Sequence, residues 1–457
     1  MAAVKEYVLK TPPGGVKNID HDALCDLLKI DDPSRVIFEQ ARGEAVVRVF
    51  PTNPLMHMRP ATVADLTMDA RGRIVVGAYY DGSPLRIRLF DPKTGNAQRM
   101  AIFGTTGAGK SRALQSVLAA CKRSGIVVHL ADLKEGQSVP EAAGNVATRV
   151  TTQKGAIRLL RRLVDEAERR MKAYGEMGRS GFILGDPDPL MYGVIDEANR
   201  LLEKGAPYRD EAAGLIKELG RTGRSVGVGI ILAAQAGHLE EMGGSDTLRG
   251  MLKEGEVILL RWSSAMMAQL VSDGLLPRGE SLQPIPKIVG QVRRIRRWNE
   301  EVDEDEDEPN SQGMCYHLTS SRPTSMARFF LVGSIAPCRG HDPVILALYG
   351  DGPPPGKPFD LDDAPDPEGD VPGGAPAASG RPSVPATAEA IPPGPVTLAD
   401  RITAALAGGP LTEADLLAAV NADGHKQIKR GSLRTRVSDL RRDGVIGPPS
   451  GGLVTLA

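Results

Sequence analysis

Nearly unbroken apolar runs punctuate the middle of the chain at 100–103, 125–134, 189–197, 226–235 and 256–264. Runs of that length and content predict strands buried on both faces, as in a parallel sheet. Between them, apolar positions recur at helical spacing: Leu114, Val117, Leu118 and Cys121, then Ile157, Leu160, Leu163, Val164, Ala167 and Met171 within 154–177, then a helix over 211–224. The other face of 154–177 carries Arg158, Arg161, Arg162, Arg169 and Arg170, which reads as a solvated or subunit-facing surface. Alternating strand and helix predict an α/β core. Upstream the period falls to two: 73–79 and 85–90 alternate apolar with polar between the turn signals Asp81-Gly82 and Thr94-Gly95. Residues 36–39 and 45–50 predict a hairpin around Arg42-Gly43, preceded by a short helix over 20–30, and a further strand is expected at 329–333.

From 351 to 395 the chain becomes Pro, Gly, Ala and Asp with few large apolar residues, which predicts a semi-extended linker. Beyond it, helices are expected at 398–406, 411–420 and 432–442, with Thr412 as N-cap and Asp415 at the third helical position. Segments 444–447 and 452–456 then close as a hairpin. Three helices and a hairpin make the winged-helix plan. Leu433, Val437 and Leu440 share its inward face, while Lys429, Arg430, Arg434, Arg436 and Arg441 make the third helix and its approach basic, which favours DNA over a protein partner. The expected organisation is a small N-terminal α/β module at 1–61, a larger α/β domain at 62–345, a linker at 346–395 and a winged helix at 396–457.

The chemistry concentrates where the 100–103 run meets the next helix. Gly104, Thr105, Thr106, Gly107, Ala108, Gly109, Lys110 and Ser111 form a glycine-rich turn between a strand and a helix, the context of a phosphate-binding loop. Backbone N–H groups and the helix N-terminus attract a polyphosphate, Lys110 reaches its outer phosphates, and the Ser111 hydroxyl is a ligand for Mg²⁺. ATP with Mg²⁺ is the expected pair. Asp196-Glu197 ends the 189–197 run: Asp196 would hold the metal, and Glu197 would orient and activate a water. Gln235 ends its own strand in polar form and is placed to sense the terminal phosphate. Asp132 and Lys134 lie at the C-terminal end of another strand, where open α/β sheets hold ligands. Arg221 and Arg224 are candidates for a charge supplied across a subunit boundary.

Composition narrows the partners little. In 457 residues, 56 Lys and Arg offset 57 Asp and Glu, so net charge does not point to nucleic acid, although the cluster at 293–297 and the acidic run at 300–308 are strongly local. Aromatics at 4% are too few for base stacking to dominate a contact. Four cysteines without a CxxC pair suit a reducing cytosol better than a disulfide or zinc framework. The N-terminus shows no apolar signal segment and no run reaches the ~20 residues of a membrane helix. The expectation is a cytoplasmic protein that meets a membrane only through a partner.

Taken together, Phe103-Gly-Thr-Thr-Gly-Ala-Gly-Lys-Ser111, Asp132-Leu-Lys134, Glu166-Ala-Glu-Arg-Arg-Met171, Val194-Ile-Asp-Glu197, Arg224 ahead of Gln235, Trp262-Ser-Ser, and Gly313-Met-Cys-Tyr316 with Ala327-Arg328 resemble the FtsK/SpoIIIE family of double-stranded DNA translocases, TraB-type conjugation proteins included. The likeness covers about 62–340. It implies a RecA-like P-loop ATPase core with a parallel sheet, a homohexameric ring around double-stranded DNA, and Arg224 as the arginine reaching the neighbouring subunit's nucleotide. Ala236, Ala265 and Gln269 depart from the family's basic positions, which leaves Lys253 and Arg249 as pore-side DNA contacts. A nucleotide-switched DNA-binding segregation or regulatory protein, and a DNA-packaging or helicase-type ATPase, are the alternative readings.

Overall fold

The computed structural model describes residues 4–10, 21–41, 44–235, 255–261, 310–319, 322–362, 398–407 and 409–422, with single positions between 282 and 289 and between 433 and 455. Two compact units divide at residue 374.

The first unit opens with an antiparallel module. Strands β1 (Lys5–Lys10), β2 (Val36–Ala41) and β3 (Glu44–Val49) pair in the order β1-β3-β2, and helix α1 (His21–Leu27) packs Leu24 and Cys25 onto Val36, Phe38 and Val47. Strand β1 adds to the hairpin expected from the pattern; all six of its residues are exposed, so it carries no apolar period.

Helix α2 (Val63–Leu66) leads into a ten-stranded mixed sheet. Its strands are β4 (Arg73–Tyr79), β5 (Pro84–Arg88), β8 (Met100–Gly104), β9 (Val127–Asp132), β10 (Thr148–Val150), β11 (Met191–Asp196), β12 (Val228–Ala234), β13 (Glu256–Leu260), β14 (Met314–Thr319) and β15 (Arg322–Phe329). A two-stranded ribbon, β6 (Phe90–Asp91) with β7 (Asn96–Ala97), joins β5 to β8. The sheet order is β10-β9-β11-β12-β8-β13-β14-β15-β4-β5. From β10 to β13 every neighbour is parallel, and from β13 to β5 every neighbour is antiparallel. Every residue of β8, β9, β11 and β12 is buried, which explains why those strands read as continuous apolar runs. Helices α3 (Lys110–Arg123), α4 (Gln153–Glu176), α5 (Asn199–Leu202), α6 (Arg209–Thr222) and α7 (Pro343–Tyr349) complete the core.

Strand β12 starts at Val228, two residues later than the apolar run. Gly227 adopts φ 74° to close a short turn, and a Cβ there would stand 2.4 Å from the Phe182 ring, so only glycine fits. The strand expected at 329–333 is displaced to Arg322–Phe329. Its pairing partners β14 and β4 lie there, and Leu331 instead makes a single bridge to Pro60. Behind β13, the buried Glu256 carboxylate meets His317 Nε2 at 2.5 Å, and His317 Nδ1 lies 2.7 Å from the Tyr79 hydroxyl, which ties β13, β14 and β4 together.

Two expectations are corrected. The arginine face of α4 is partly interior: Arg170 is 1% exposed, paired to Glu166 at 2.7 Å, and donates to the carbonyls of Pro189 and Val226. Its neighbours Arg161 and Arg169 pair with Glu211 and Asp188 at 2.6 and 2.7 Å. The linker also starts later than 346. Residues 343–349 are α7, and 350–362 form a strap across the core. Lys122 Nζ donates to the carbonyls of Gly350 and Gly352 at 2.9 and 2.7 Å, Arg162 Nε donates to that of Asp360 at 2.9 Å, and the Phe359 ring stacks on His129 at 3.7 Å between centroids.

In the second unit, helices Leu398–Leu406 and Glu413–Asn421 and a strand pair, Leu411–Thr412 with Leu453–Val454, surround a core of Ile402, Leu406, Leu416, Val420, Leu433, Val437, Leu440, Ile446 and Val454. Thr412 accepts the Asp415 N–H as N-cap at 3.2 Å. No helix among the described residues is long and apolar enough to cross a membrane.

Candidate nucleotide site

Strand β8 ends at Gly104 in the middle of the sheet, and the glycine-rich loop rises from its C-terminal end into α3. Gly109 is the N-cap of α3 at φ 101°, and a Cβ there would meet Gly313 N at 3.0 Å, so the sixth loop position demands glycine. Ala108 N–H donates to Thr105 O at 3.0 Å, which closes the loop on itself. From the β14 side, Gly313 N–H donates to Ala108 O at 2.9 Å and braces it. Thr106 and Gly107 are exposed at the rim, while Thr105 and Ser111 are half-buried.

Helix α3 is held from behind by polar contacts. Gln115 donates to Glu141 at 2.6 Å and accepts from the Tyr349 hydroxyl at 2.6 Å, and Arg112 pairs with Asp342 at 3.2 Å. These bonds fix the axis whose N-terminus carries Lys110 and Ser111.

Parallel pairing brings the acidic pair alongside. Strands β8 and β11 flank β12, so their C-terminal ends open on one side of the sheet. Lys110 Nζ lies 2.5 Å from Asp196 Oδ1 and 3.0 Å from Glu197 Oε1, with all three side chains buried. Gln235, just past β12, donates its amide to Glu197 Oε1 at 3.0 Å, and its backbone N–H reaches Asn199 Oδ1 at 3.4 Å. Glu197 holds φ 55°, a strained position for a side-chain residue, at the site itself. Burial pushes its carboxyl up, but the Gln235 hydrogen bond and the Lys110 charge outweigh that, so it lies below the ordinary carboxylate range. Asp196 Oδ1 accepts the Glu197 N–H at 2.9 Å, whereas its buried Oδ2 has no protein partner. The core is thus an α/β fold in which a glycine-rich loop and an acidic pair meet at the C-terminal ends of parallel strands.

Lys110, Asp196, Glu197 and Gln235 lie together beside the glycine-rich loop, with Ser111 on the first turn of α3. Asp132 does other work. Its carboxylate accepts the N–H groups of Lys134 and Val139 at 3.2 and 3.3 Å and orders the loop after β9. Arg224 stands at the N-terminal end of β12, and seven residues at ~3.3 Å each separate it from its own chain's loop. Arg221 is exposed and pairs with Glu218 at 3.3 Å. Of the expected DNA contacts, Lys253, Arg249, Lys429, Arg430 and Arg434 lie outside the described residues, as do 293–297, 300–308, Ala236, Ala265 and Gln269. Arg436 is half-buried, and Arg441 Nε donates to Gly447 O at 3.0 Å. Sequence reasoning missed Asn199, whose side-chain oxygen accepts the Gln235 N–H, and the 311–313 brace, which acts through the backbone of Gly313 and leaves no residue-type signal.

No protein-family model matches the chain, and no curated protein matches it. Solved structures do. The chain is similar to the pCW3 conjugation coupling protein TcpA, in a monomer form with ATPgS, at 17% identity and TM-score 0.47 over 72% of this chain and 85% of that one. It is similar to the cytoplasmic domain of the type VII secretion ATPase EccC of Thermomonospora curvata at 23% identity and TM-score 0.45, covering 65% of this chain and 33% of that one. It is also similar to EssC, ATPases 2 and 3, of Geobacillus thermodenitrificans at 15% identity and TM-score 0.44, covering 65% and 50%. The chain therefore spans about a third of the EccC chain and half of the EssC chain.

Proposed function

We propose that the protein is an ATPase whose subunits form a hexameric ring and drive double-stranded DNA through it. The observation that carries the reading is the buried cluster of Lys110, Asp196, Glu197 and Gln235 at the mouth of the glycine-rich loop. Lys110 exchanges its carboxylate partners for the outer phosphates of ATP, and the loop N–H groups and α3 bind the remainder. Once Lys110 has moved, Glu197 is an ionised carboxylate, held in orientation by the Gln235 amide, that accepts the proton of the attacking water. Ser111 and the unpartnered Asp196 Oδ2 would hold a Mg²⁺ ion, which would supply neutralising positive charge at the phosphates.

Arg224 cannot serve its own site, so a head-to-tail ring supplies it to the next one. In such a ring Lys253 and Arg249 would be the pore-side DNA contacts, and Lys429, Arg430, Arg434, Arg436 and Arg441 would let a terminal winged helix select or orient on DNA. A nucleotide switch without turnover has no need of a strained, ionised Glu197.

The test is ATP hydrolysis with and without long linear duplex, combined with displacement of a third strand from that duplex. Wild type should show duplex-stimulated hydrolysis and displacement that requires hydrolysable ATP. Lys110→Ala should lose both, and an unchanged rate in that variant would reject the site. Strand separation in place of displacement would indicate a helicase.

A further inference from the structure

Opposite the acidic pair, a second cation approaches the P-loop within the same chain. Arg261 directly follows β13, the parallel neighbour of β8, with Leu260 in register with Gly104. Its backbone is in the left-handed region at φ 44° and is pinned by its N–H donating to Met314 O at 2.9 Å. Arg261 Nε donates to Ser311 Oγ at 3.1 Å, and that hydroxyl donates to Lys287 O at 3.2 Å. The guanidinium is therefore fixed by one edge. Its other edge points at the loop: a Cβ built on Gly107 would stand 3.5 Å from NH1. Neither terminal nitrogen has a protein partner among the described residues, and no carboxylate there neutralises the charge. Burial lowers its pKa with no opposing acid.

A half-buried, immobilised and uncompensated guanidinium over an anion-binding loop is costly unless an anion completes it. We propose that Arg261 is a same-subunit ligand of the nucleotide's phosphates, gripping a phosphoryl oxygen over Gly107 from the side opposite Lys110. The proposal rests on the P-loop site binding a nucleotide. The bound polyphosphate then lies between two cations, Lys110 from the β11 side and Arg261 from the β13 side. The left-handed backbone aims Arg261 back over the loop, and Ser311 restricts its swing.

The experiment measures equilibrium binding of a fluorescent ATP to the full-length protein, and its displacement by ATP, inorganic tripolyphosphate and adenosine. Arg261→Asn removes the charge while tolerating the left-handed backbone. It should weaken ATP and tripolyphosphate by about 10- to 100-fold, the loss of a charge-assisted contact, and leave adenosine unchanged. Arg261→Lys, which keeps the charge but not the fork, should fall between, as should Ser311→Ala, which frees the guanidinium. If Arg261→Asn fails to fold, Arg261→Lys and Ser311→Ala carry the same comparison. Wild-type binding with undiminished tripolyphosphate affinity in the folded variants would overturn the Arg261 assignment alone. A wild type that binds no nucleotide, indistinguishable from Lys110→Ala, would overturn the P-loop reading and this proposal together.

Discussion

Acid should loosen the strap over the parallel half of the sheet. His129, on β9, is fully buried, with its ring stacked on Phe359 at an interplanar angle of 5°. Its Nδ1 lies 2.9 Å from Thr148 Oγ1, which also accepts the Phe359 N–H at 2.8 Å, so one hydroxyl joins sheet, ring and strap. Nε2 has no partner, and a proton there would be buried unsatisfied. Burial, aided by Arg170 and only partly opposed by Glu166, lowers the ring's pKa from 6.5 to about 4. The neutral ring is therefore the packed form. The released ring takes its proton near 6.5, so the strap's stability is complete above that pH, falls as pH drops toward 4, and levels off below. Each unit between those limits costs about 1.4 kcal/mol, so at pH 5 the strap loses about 2 kcal/mol, or roughly a 30-fold larger opening constant. Hydrogen exchange of peptides spanning 350–362, corrected for intrinsic rates at pH 7 and pH 5, reads that constant directly. His129→Gln, which does not titrate, should flatten the dependence. Equal pH dependence in wild type and variant, or an opening constant that barely moves in wild type, would refute the linkage.

Three further outcomes follow from contacts already described. Gln235→Ala removes a hydrogen bond that lowers the Glu197 pKa, so the acid limb of the ATPase pH profile should move to higher pH; an unmoved limb would deny Glu197 the role of base. Arg170→Leu leaves Glu166 to Arg169 alone and strands the Pro189 and Val226 carbonyls, which should cost about 2–4 kcal/mol and lower the melting temperature by several degrees; an unchanged melt would show that those carbonyls find water. Gly227→Ala meets the Phe182 ring in an unfavourable backbone region and should destabilise by about 1–3 kcal/mol in urea unfolding; a neutral result would mean that the ring yields freely.

The parallel half of the sheet was readable because β8, β9, β11 and β12 are buried on both faces, and nothing else writes such unbroken apolar runs. The same runs end in Gly104, Asp196 and Gln235, so the site could be read at their ends. The antiparallel half was blurred. Strand β15, with Arg322, Ser325 and Arg328 along it, gives no clean alternation, because Arg328 is buried and donates to the carbonyls of Leu55, Met56, Asn310 and Gln312. The strap was hidden for a different reason. Its composition is that of a linker, and its attachment depends on Lys122, Arg162 and His129, all more than 190 residues upstream. Arg261 lay inside the 256–264 run, where a single arginine carries no periodicity to mark what it faces.

The sheet order also dictates a schedule for the nascent chain. Strands β4 and β5 are made early, yet they join the main sheet only through β15, with Tyr79 opposite Ala327 about 250 residues later. At ~5–20 residues per second, their inner edge waits on the order of tens of seconds on the ribosome. Until then Ile74, Val76, Leu85 and Ile87, all fully covered in the finished molecule, have no sheet to lie on. The half that carries the glycine-rich loop is translated inside that interval, so its strands are available to pair before the N-terminal strands have β15 to dock on.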